Sequence, residues 1–169
     1  IKVHLELETG MGRTGIRIED IETFCFYIKE NPNIEVQGVY THFAIADSDT
    51  EYTKAQISKF DKGLEIIQKH FKSIKYIHHS ASNGILNFKN PNCNTVRPGI
   101  IMYGYEPFEG AYNKLDLKPI SKLKVKINFV KKIEKGESVS YGRTFIADKD
   151  TIVATVPIGY ADGIRRSMT

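Results

Sequence analysis

Apolar and polar positions alternate at the start of the chain, with Val3, Leu5 and Leu7 set against His4, Glu6 and Glu8. A period of two predicts a strand with one buried face. Gly10-Met11-Gly12 follows as a turn. Ile21, Phe24, Cys25 and Ile28 then recur at helical spacing, and Asn31-Pro32-Asn33 ends that helix. A second strand is predicted over residues 34–43. A second helix carries Ile57, Phe60, Leu64 and Ile67 on one face. A third strand is predicted over 74–77, a short helix over 83–86 and a fourth strand over 95–100.

Strands and helices alternating through short loops predict βα units and a parallel sheet. Four such units make either half of a (β/α)₈ barrel or a small open α/β sheet. Arg13, His42, Ser82 and the run from Arg97 to Ile100 fall at or just after the C-terminal ends of the four strands. A TIM-type barrel places its chemistry, and often a phosphate, at that end. An open sheet binds ligands mainly where its strand order reverses. The period changes after Leu117-Lys118-Pro119. Leu123, Val125, Ile127 and Phe129 alternate with Lys122, Lys124, Lys126 and Asn128, and Glu134-Lys135-Gly136-Glu137 reads as a turn. An all-β module is therefore expected from residue 118 onward, after an α/β region over 1–117.

Composition is that of a globular protein, 41% hydrophobic and 26% charged, with a net charge of +4. Lys118, Lys122, Lys124 and Lys126 sit between apolar residues, which predicts the wet face of a strand and no nucleic-acid partner. No apolar run reaches the ~18 residues of a membrane span. Cys25 and Cys93 lie too far from other ligands for a zinc site or a disulfide framework, so no metal is expected. Two free thiols fit a reducing cytoplasm.

Four motifs narrow the choice. They are Glu8-Thr9-Gly10-Met11-Gly12-Arg13, the run from Val96 to Gly104 that contains Arg97-Pro98-Gly99-Ile100, then Val139-Ser140-Tyr141-Gly142, and finally Val156-Pro157-Ile158-Gly159-Tyr160-Ala161-Asp162-Gly163. In this order the chain resembles the back half of a bacterial alanine racemase, an enzyme dependent on pyridoxal phosphate. The resemblance implies the second half of a TIM-type barrel over 1–117, then the beginning of a C-terminal β domain over 118–169. It implies interconversion of L- and D-alanine through a pyridoxal phosphate aldimine with two bases, supplying D-alanine for peptidoglycan. It also implies a cytoplasmic homodimer. The chain begins at Ile1 without Met, and the family's cofactor-binding lysine is expected before that point. A racemase for serine would share nearly all of these residues. A non-catalytic racemase-like domain fused to another enzyme would keep Arg97, Gly99 and Ser82 without needing Tyr141 and Tyr160, and both tyrosines are present.

The resemblance also implies roles. Arg97 faces the cofactor's pyridine nitrogen, which a permanently charged guanidinium does not readily protonate. His78 holds Arg97. Gly99 and Ile100 give backbone N–H groups to the phosphate, and Ser82 its hydroxyl. From the residues alone, Ser82 also reads as a helix N-cap. The family has Asn-Ser where this chain has Ala81-Ser82-Asn83. His42 packs on the cofactor ring, and Asp47 lies in the entry corridor. Arg13 reaches the phenolic oxygen and the substrate carboxylate. The family's Arg is held by a carbamylated lysine, and Glu6 stands at that place as a ready carboxylate for Arg13. Tyr141 is the base for the L enantiomer and acts in the partner's site, while Tyr160 narrows the substrate entrance. A tyrosine, with an ordinary pKa near ~10, needs cationic neighbours to serve as a base.

Overall fold

The computed structural model describes residues 1–111, 115–165 and 167. The chain divides into two compact units, Ile1–Ile120 and Ser121–Thr169.

The first unit is built on a parallel sheet of β1 (Lys2–Glu6), β2 (Glu35–Tyr40) and β3 (Tyr76–His78), in sequential order. Helices α1 (Ile21–Lys29) and α2 (Thr50–His70) join the strands, and α3 (Ser82–Asn87) follows β3. Side chains alternate across a pleated sheet. Leu5 and Leu7 therefore face one way, and an irregularity in the β1–β2 register at Val3/His4 lets both Val36 and Val39 join them. These four form the core with Ile21, Cys25 and Ile28 of α1 and Phe60, Leu64 and Ile67 of α2. The opposite face carries polar and aromatic groups. Its register sets His4 against Gly38, Glu6 against Tyr40, and Tyr40 against His78. Asp49 caps α2 by accepting from Tyr52 N–H at 2.9 Å, and Lys69 and His70 complement the helix dipole in its last turn.

Several details depart from the sequence reading. On α1 the buried stripe is Ile21, Cys25 and Ile28, and Phe24 is 48% exposed. On α2 the buried stripe is Thr53, Gln56, Phe60, Gly63, Leu64 and Ile67, with Ile57 at its margin. The fourth strand predicted over 95–100 does not form. Asn94 Oδ1 takes the Ile77 N–H at 3.0 Å, a place a ladder carbonyl would fill, and Pro98 has no N–H to offer. The segment still runs beside β3, where Asn94 N–H donates to Ile77 O at 3.0 Å and Arg97 N–H to Ser80 O at 2.9 Å. It ends in a 3₁₀ turn, Ile100–Tyr103.

In the second unit β4 (Phe129–Ile133) pairs antiparallel with β7 (Thr151–Thr155), and β5 (Ser138–Val139) with β6 (Phe145–Ile146). Gly136, at φ +89°, makes the turn between β4 and β5, and its N–H donates to Ala147 O at 2.8 Å. Among the described residues of this unit, Ile133 and Ala147 are the buried apolar ones. The alternation over residues 122–128 does not become a strand. Of that stretch Asn128 bonds to Thr155, while Leu123 remains 74% exposed. A period of two predicts a strand only where a neighbour completes the ladder.

Candidate functional site

Arg97 is the most heavily anchored polar side chain of the first unit. Its Nη1 donates to His78 Nδ1 at 2.5 Å and to His78 O at 3.3 Å. Its Nη2 donates to Thr41 O at 2.8 Å, His42 Nδ1 at 3.3 Å and His79 O at 3.4 Å. The Tyr40 ring lies 5.1 Å from the guanidinium carbon. With both terminal nitrogens engaged by protein, Nε–H is the remaining donor. The segment after β3 thus fixes this group against the C-terminal ends of β2 and β3.

A guanidinium has only donors, so both imidazoles must accept at Nδ1 and carry their proton at Nε2. Their surroundings agree. Burial first, then the Arg97 charge, pushes the His78 pKa down to about 4. The same two causes lower that of His42. Both rings are neutral near pH 7. His79 also falls to about 4, chiefly through burial. Its Nδ1 bonds Ser80 Oγ at 2.7 Å, while Nε2 has no partner among the described residues.

Beside this cluster lies a cleft of about 440 Å³ whose lining includes His42, Asp47, Ser82, Asn83, Gly99 and Ile100. Ala81 is the N-cap of α3 and its side chain makes no capping bond, so the capping reading of Ser82 does not hold. Ser82 is instead the first helical residue, and its Oγ accepts the Gly99 N–H at 3.0 Å. That leaves the Ser82 O–H as a donor, while the Gly99 N–H is spent on orienting it. Ile100 opens its 3₁₀ turn, so its N–H is one of those with no carbonyl inside the turn to satisfy it. Asn83 Oδ1 is buried with no partner among the described residues.

The strand-end loops are held by a buried polar chain. Gln56 Nε2 donates to Thr9 Oγ1 at 3.1 Å and His42 O at 3.3 Å, and Gln56 Oε1 accepts from Ala44 N–H at 3.0 Å. The loop bearing Arg13 follows β1 and starts just past Thr9. Glu6 does not pair with Arg13; no ion pair between them is present among the described residues. Its Oε2 accepts from Thr14 Oγ1 at 2.7 Å and from Tyr40 Oη at 3.0 Å. One of these hydroxyls comes from the paired strand and the other from the loop that follows β1. Both charges still act nearby, since Glu6 and Arg13 each bear on the titration of Tyr40 and His42. Burial, followed by the bond to Glu6, raises the Tyr40 pKa.

The structure therefore brings together Arg97, His78, His42, Ser82, Gly99 and Ile100, with Arg13 on the adjoining loop. Tyr141 and Tyr160 lie in the second unit and line one cleft there with Ser140, Thr144 and Arg165. Their exposures are 86% and 73%. His4, Tyr40 and Gln56 escaped the sequence reading. Gln56 alone carried a signal, a polar residue on the apolar stripe of a helix. Both cysteines are free thiols. No described helix is long and apolar enough to cross a membrane.

Residues 1–107 match the family model described as "Alanine racemase, N-terminal domain", and residues 120–169 that described as "Alanine racemase, C-terminal domain". The chain is 43% identical to an alanine racemase of Clostridium tetani over 99% of this chain and 44% of that protein. It is 42% identical to one of Treponema denticola, over 99% and 45%. Among solved structures, the alanine racemase of Streptomyces coelicolor A3(2) superposes with TM-score 0.84 at 31% identity, covering 98% of this chain and 45% of that one. The Bacillus anthracis enzyme with bound L-Ala-P gives 0.74 at 36%, over 96% and 43%. The chain spans less than half the length of the curated relatives it matches. On its matching domains, the chain belongs to the alanine racemase family.

Proposed function

We propose that this chain supplies part of a pyridoxal phosphate-dependent alanine racemase. Its residues 1–117 are read as the second half of a (β/α)₈ barrel, and 118–169 as the start of a β domain. The working unit is a cytoplasmic homodimer that makes D-alanine for the cell wall. The observation that carries the reading is the anchoring of Arg97 by His78, His42 and three main-chain carbonyls, next to a cleft lined by Ser82, Gly99 and Ile100.

The residues fit the cofactor. The Ser82 hydroxyl and the Ile100 N–H are uncharged donors suited to a phosphate, and Gly99 orients Ser82. Pyridoxal phosphate, when bound, makes the Cα–H of an amino acid acidic by drawing electrons into its ring. Arg97 offers that ring's nitrogen a donor that does not give up its proton. The neutral His42 supplies a flat surface beside Arg97. Arg13 pairs with the substrate carboxylate, and Glu6 adds a negative charge near it. Tyr141 moves the proton on the L face from the partner subunit, and Tyr160 narrows the entrance.

The test is a racemisation assay on the intact protein, with L-alanine, D-alanine and L-serine as separate substrates. Turnover of alanine above serine is expected. Serine turned over in preference to alanine would make this a serine racemase. No turnover of either by cofactor-loaded protein would leave the non-catalytic domain reading.

A further inference from the structure

We infer that His4 is a positioning residue for Arg97, acting through His78. His4 lies on β1, two strands from β3, yet its Nδ1 is 3.0 Å from His78 Nε2. The other nitrogen of His78 is the one that meets Arg97. One imidazole thus bridges a guanidinium and a second imidazole.

Proton accounting fixes the direction of this chain. Arg97 Nη1 carries only hydrogens, so His78 Nδ1 presents its lone pair. The single proton of a neutral His78 then sits on Nε2 and points at His4. His4 Nδ1 must accept it, which puts the His4 proton on Nε2. Every bond runs outward, from Arg97 to His78 to His4. The opposite tautomer of His78 would set an N–H against the guanidinium and lose that bond, and would keep the one to His4 only if His4 moved its own proton to Nδ1. His78 is 5% exposed, so its Nε2–H has no ready substitute acceptor in solvent. An acceptor at His4 makes His78 a better acceptor for Arg97, because linked hydrogen bonds polarise one another.

The sheet is built to admit this arrangement. Gly38 faces His4 across the β1–β2 ladder. A Cβ at Gly38 would lie 2.6 Å from His4 Nδ1 and 2.7 Å from Cγ and Cε1. Its φ is not in the left-handed region, so the glycine serves the ring's space and not a turn. Tyr76 stacks on His4 at 5.4 Å, and Tyr40 stacks on His78 at 5.2 Å and 11°. Each imidazole is thus backed by one tyrosine, with the two rings tilted by 52° and their facing nitrogens 3.0 Å apart.

The role rests on the proposed reading of Arg97, but its first readout needs neither cofactor nor turnover. Histidine and arginine side chains of the intact protein are labelled with ¹⁵N and followed by NMR. The variants are His4→Leu, Gly38→Ala and His4→Asn, whose Oδ1 can replace the accepting Nδ1. Wild type and His4→Asn should keep one His78 tautomer with the proton on Nε2. His4→Leu and Gly38→Ala should show averaged His78 signals and faster exchange at Arg97. In cofactor-loaded protein the two disruptive variants should lose about tenfold in kcat at unchanged KM, the size of one lost hydrogen bond, and His4→Asn should recover it. An unchanged His78 signature in His4→Leu, or a His4→Asn as impaired as His4→Leu, would overturn the inference. The expected NMR pattern in a wild-type protein without turnover would end the racemase reading and leave this one standing.

Discussion

Gln56 Nε2 donates to Thr9 Oγ1 at 3.1 Å inside the layer between α2 and the strand ends. Thr41 Oγ1 gives its proton to Leu7 O at 2.8 Å, so the 2.7 Å contact between the two threonines must run from Thr9 to Thr41. Each hydroxyl accepts once and donates once. The two residues thus tie β1, β2 and α2 together below the loops that bear Arg13 and His42.

Replacing Gln56 by Leu is expected to destabilise the protein. The change removes a donor to Thr9 and His42 and the acceptor of Ala44 N–H. A buried group left unsatisfied costs about 1–3 kcal/mol. Urea unfolding should therefore lose about 2 kcal/mol without a change in slope. A loss under about 0.5 kcal/mol would mean that water or a local shift replaces the network.

Stability should fall on mild acidification. His78 and His79 both drop from 6.5 to about 4 in the folded state, first through burial. Between those values the unfolded chain binds protons that the folded chain refuses. Stability is then complete above about pH 6.5 and declines as the pH falls toward 4, by roughly 3 kcal/mol for each histidine. His79→Phe should flatten the curve by one histidine's share. His79 is the better probe, because its ring loses only the Ser80 contact, whereas that of His78 holds both Arg97 and His4. An unchanged slope between pH 6.5 and 4 in that variant would show that His79 does not stay neutral.

Much of this architecture is legible in the sequence, and the gaps have physical causes. The period of two in Val3, Leu5 and Leu7 and the helical spacing of Phe60, Leu64 and Ile67 report burial, and those residues are buried or nearly so. Residues 95–100 and 122–128 have strand periodicity but gain no ladder, because pairing depends on partners that a local pattern does not contain. The gathering of Arg97, His42 and Ser82 follows from motifs, two of them just past the ends of β2 and β3 and the third on the segment that runs beside β3. His4 and Tyr40 were hidden for a different reason. They sit on the polar side of strands that read as plain alternation, and their meeting with His78 exists only once three strands are in register. The Glu6–Arg13 pair was carried over from the resemblance, and it failed because Glu6 finds the Thr14 and Tyr40 hydroxyls instead.

Ser82→Ala should weaken cofactor binding without unfolding the protein. The hydroxyl accepts from Gly99 N–H and keeps one donor for an anion. A hydrogen bond to a charged group contributes about 1.5–3 kcal/mol, so affinity for pyridoxal phosphate should fall by roughly 10- to 100-fold. Titration followed by cofactor fluorescence gives the number. Inorganic phosphate should compete more weakly in the variant as well. Equal affinities would remove Ser82 from the site and shift the anion to the turn at Ile100.

Tyr141→Phe removes one hydroxyl from an 86% exposed side chain, so the fold and the cofactor affinity should survive. Racemisation should almost vanish. Exchange of the α-proton of L-alanine with solvent should collapse, while exchange from D-alanine, served by a base on the other face, should continue. Crossing subunits gives a second test. Arg13→Ala cripples the first unit of a protomer and leaves its Tyr141 intact. In a mixed dimer, the Tyr141→Phe protomer keeps a sound first unit and receives a working Tyr141 from its neighbour. That site is whole, and the other carries both defects. Mixing the two inactive variants should then restore activity, up to about a quarter of wild type for random exchange, since half the dimers are mixed and each has one whole site. Proven subunit exchange without returning activity would place Tyr141 in its own protomer's site, or in none.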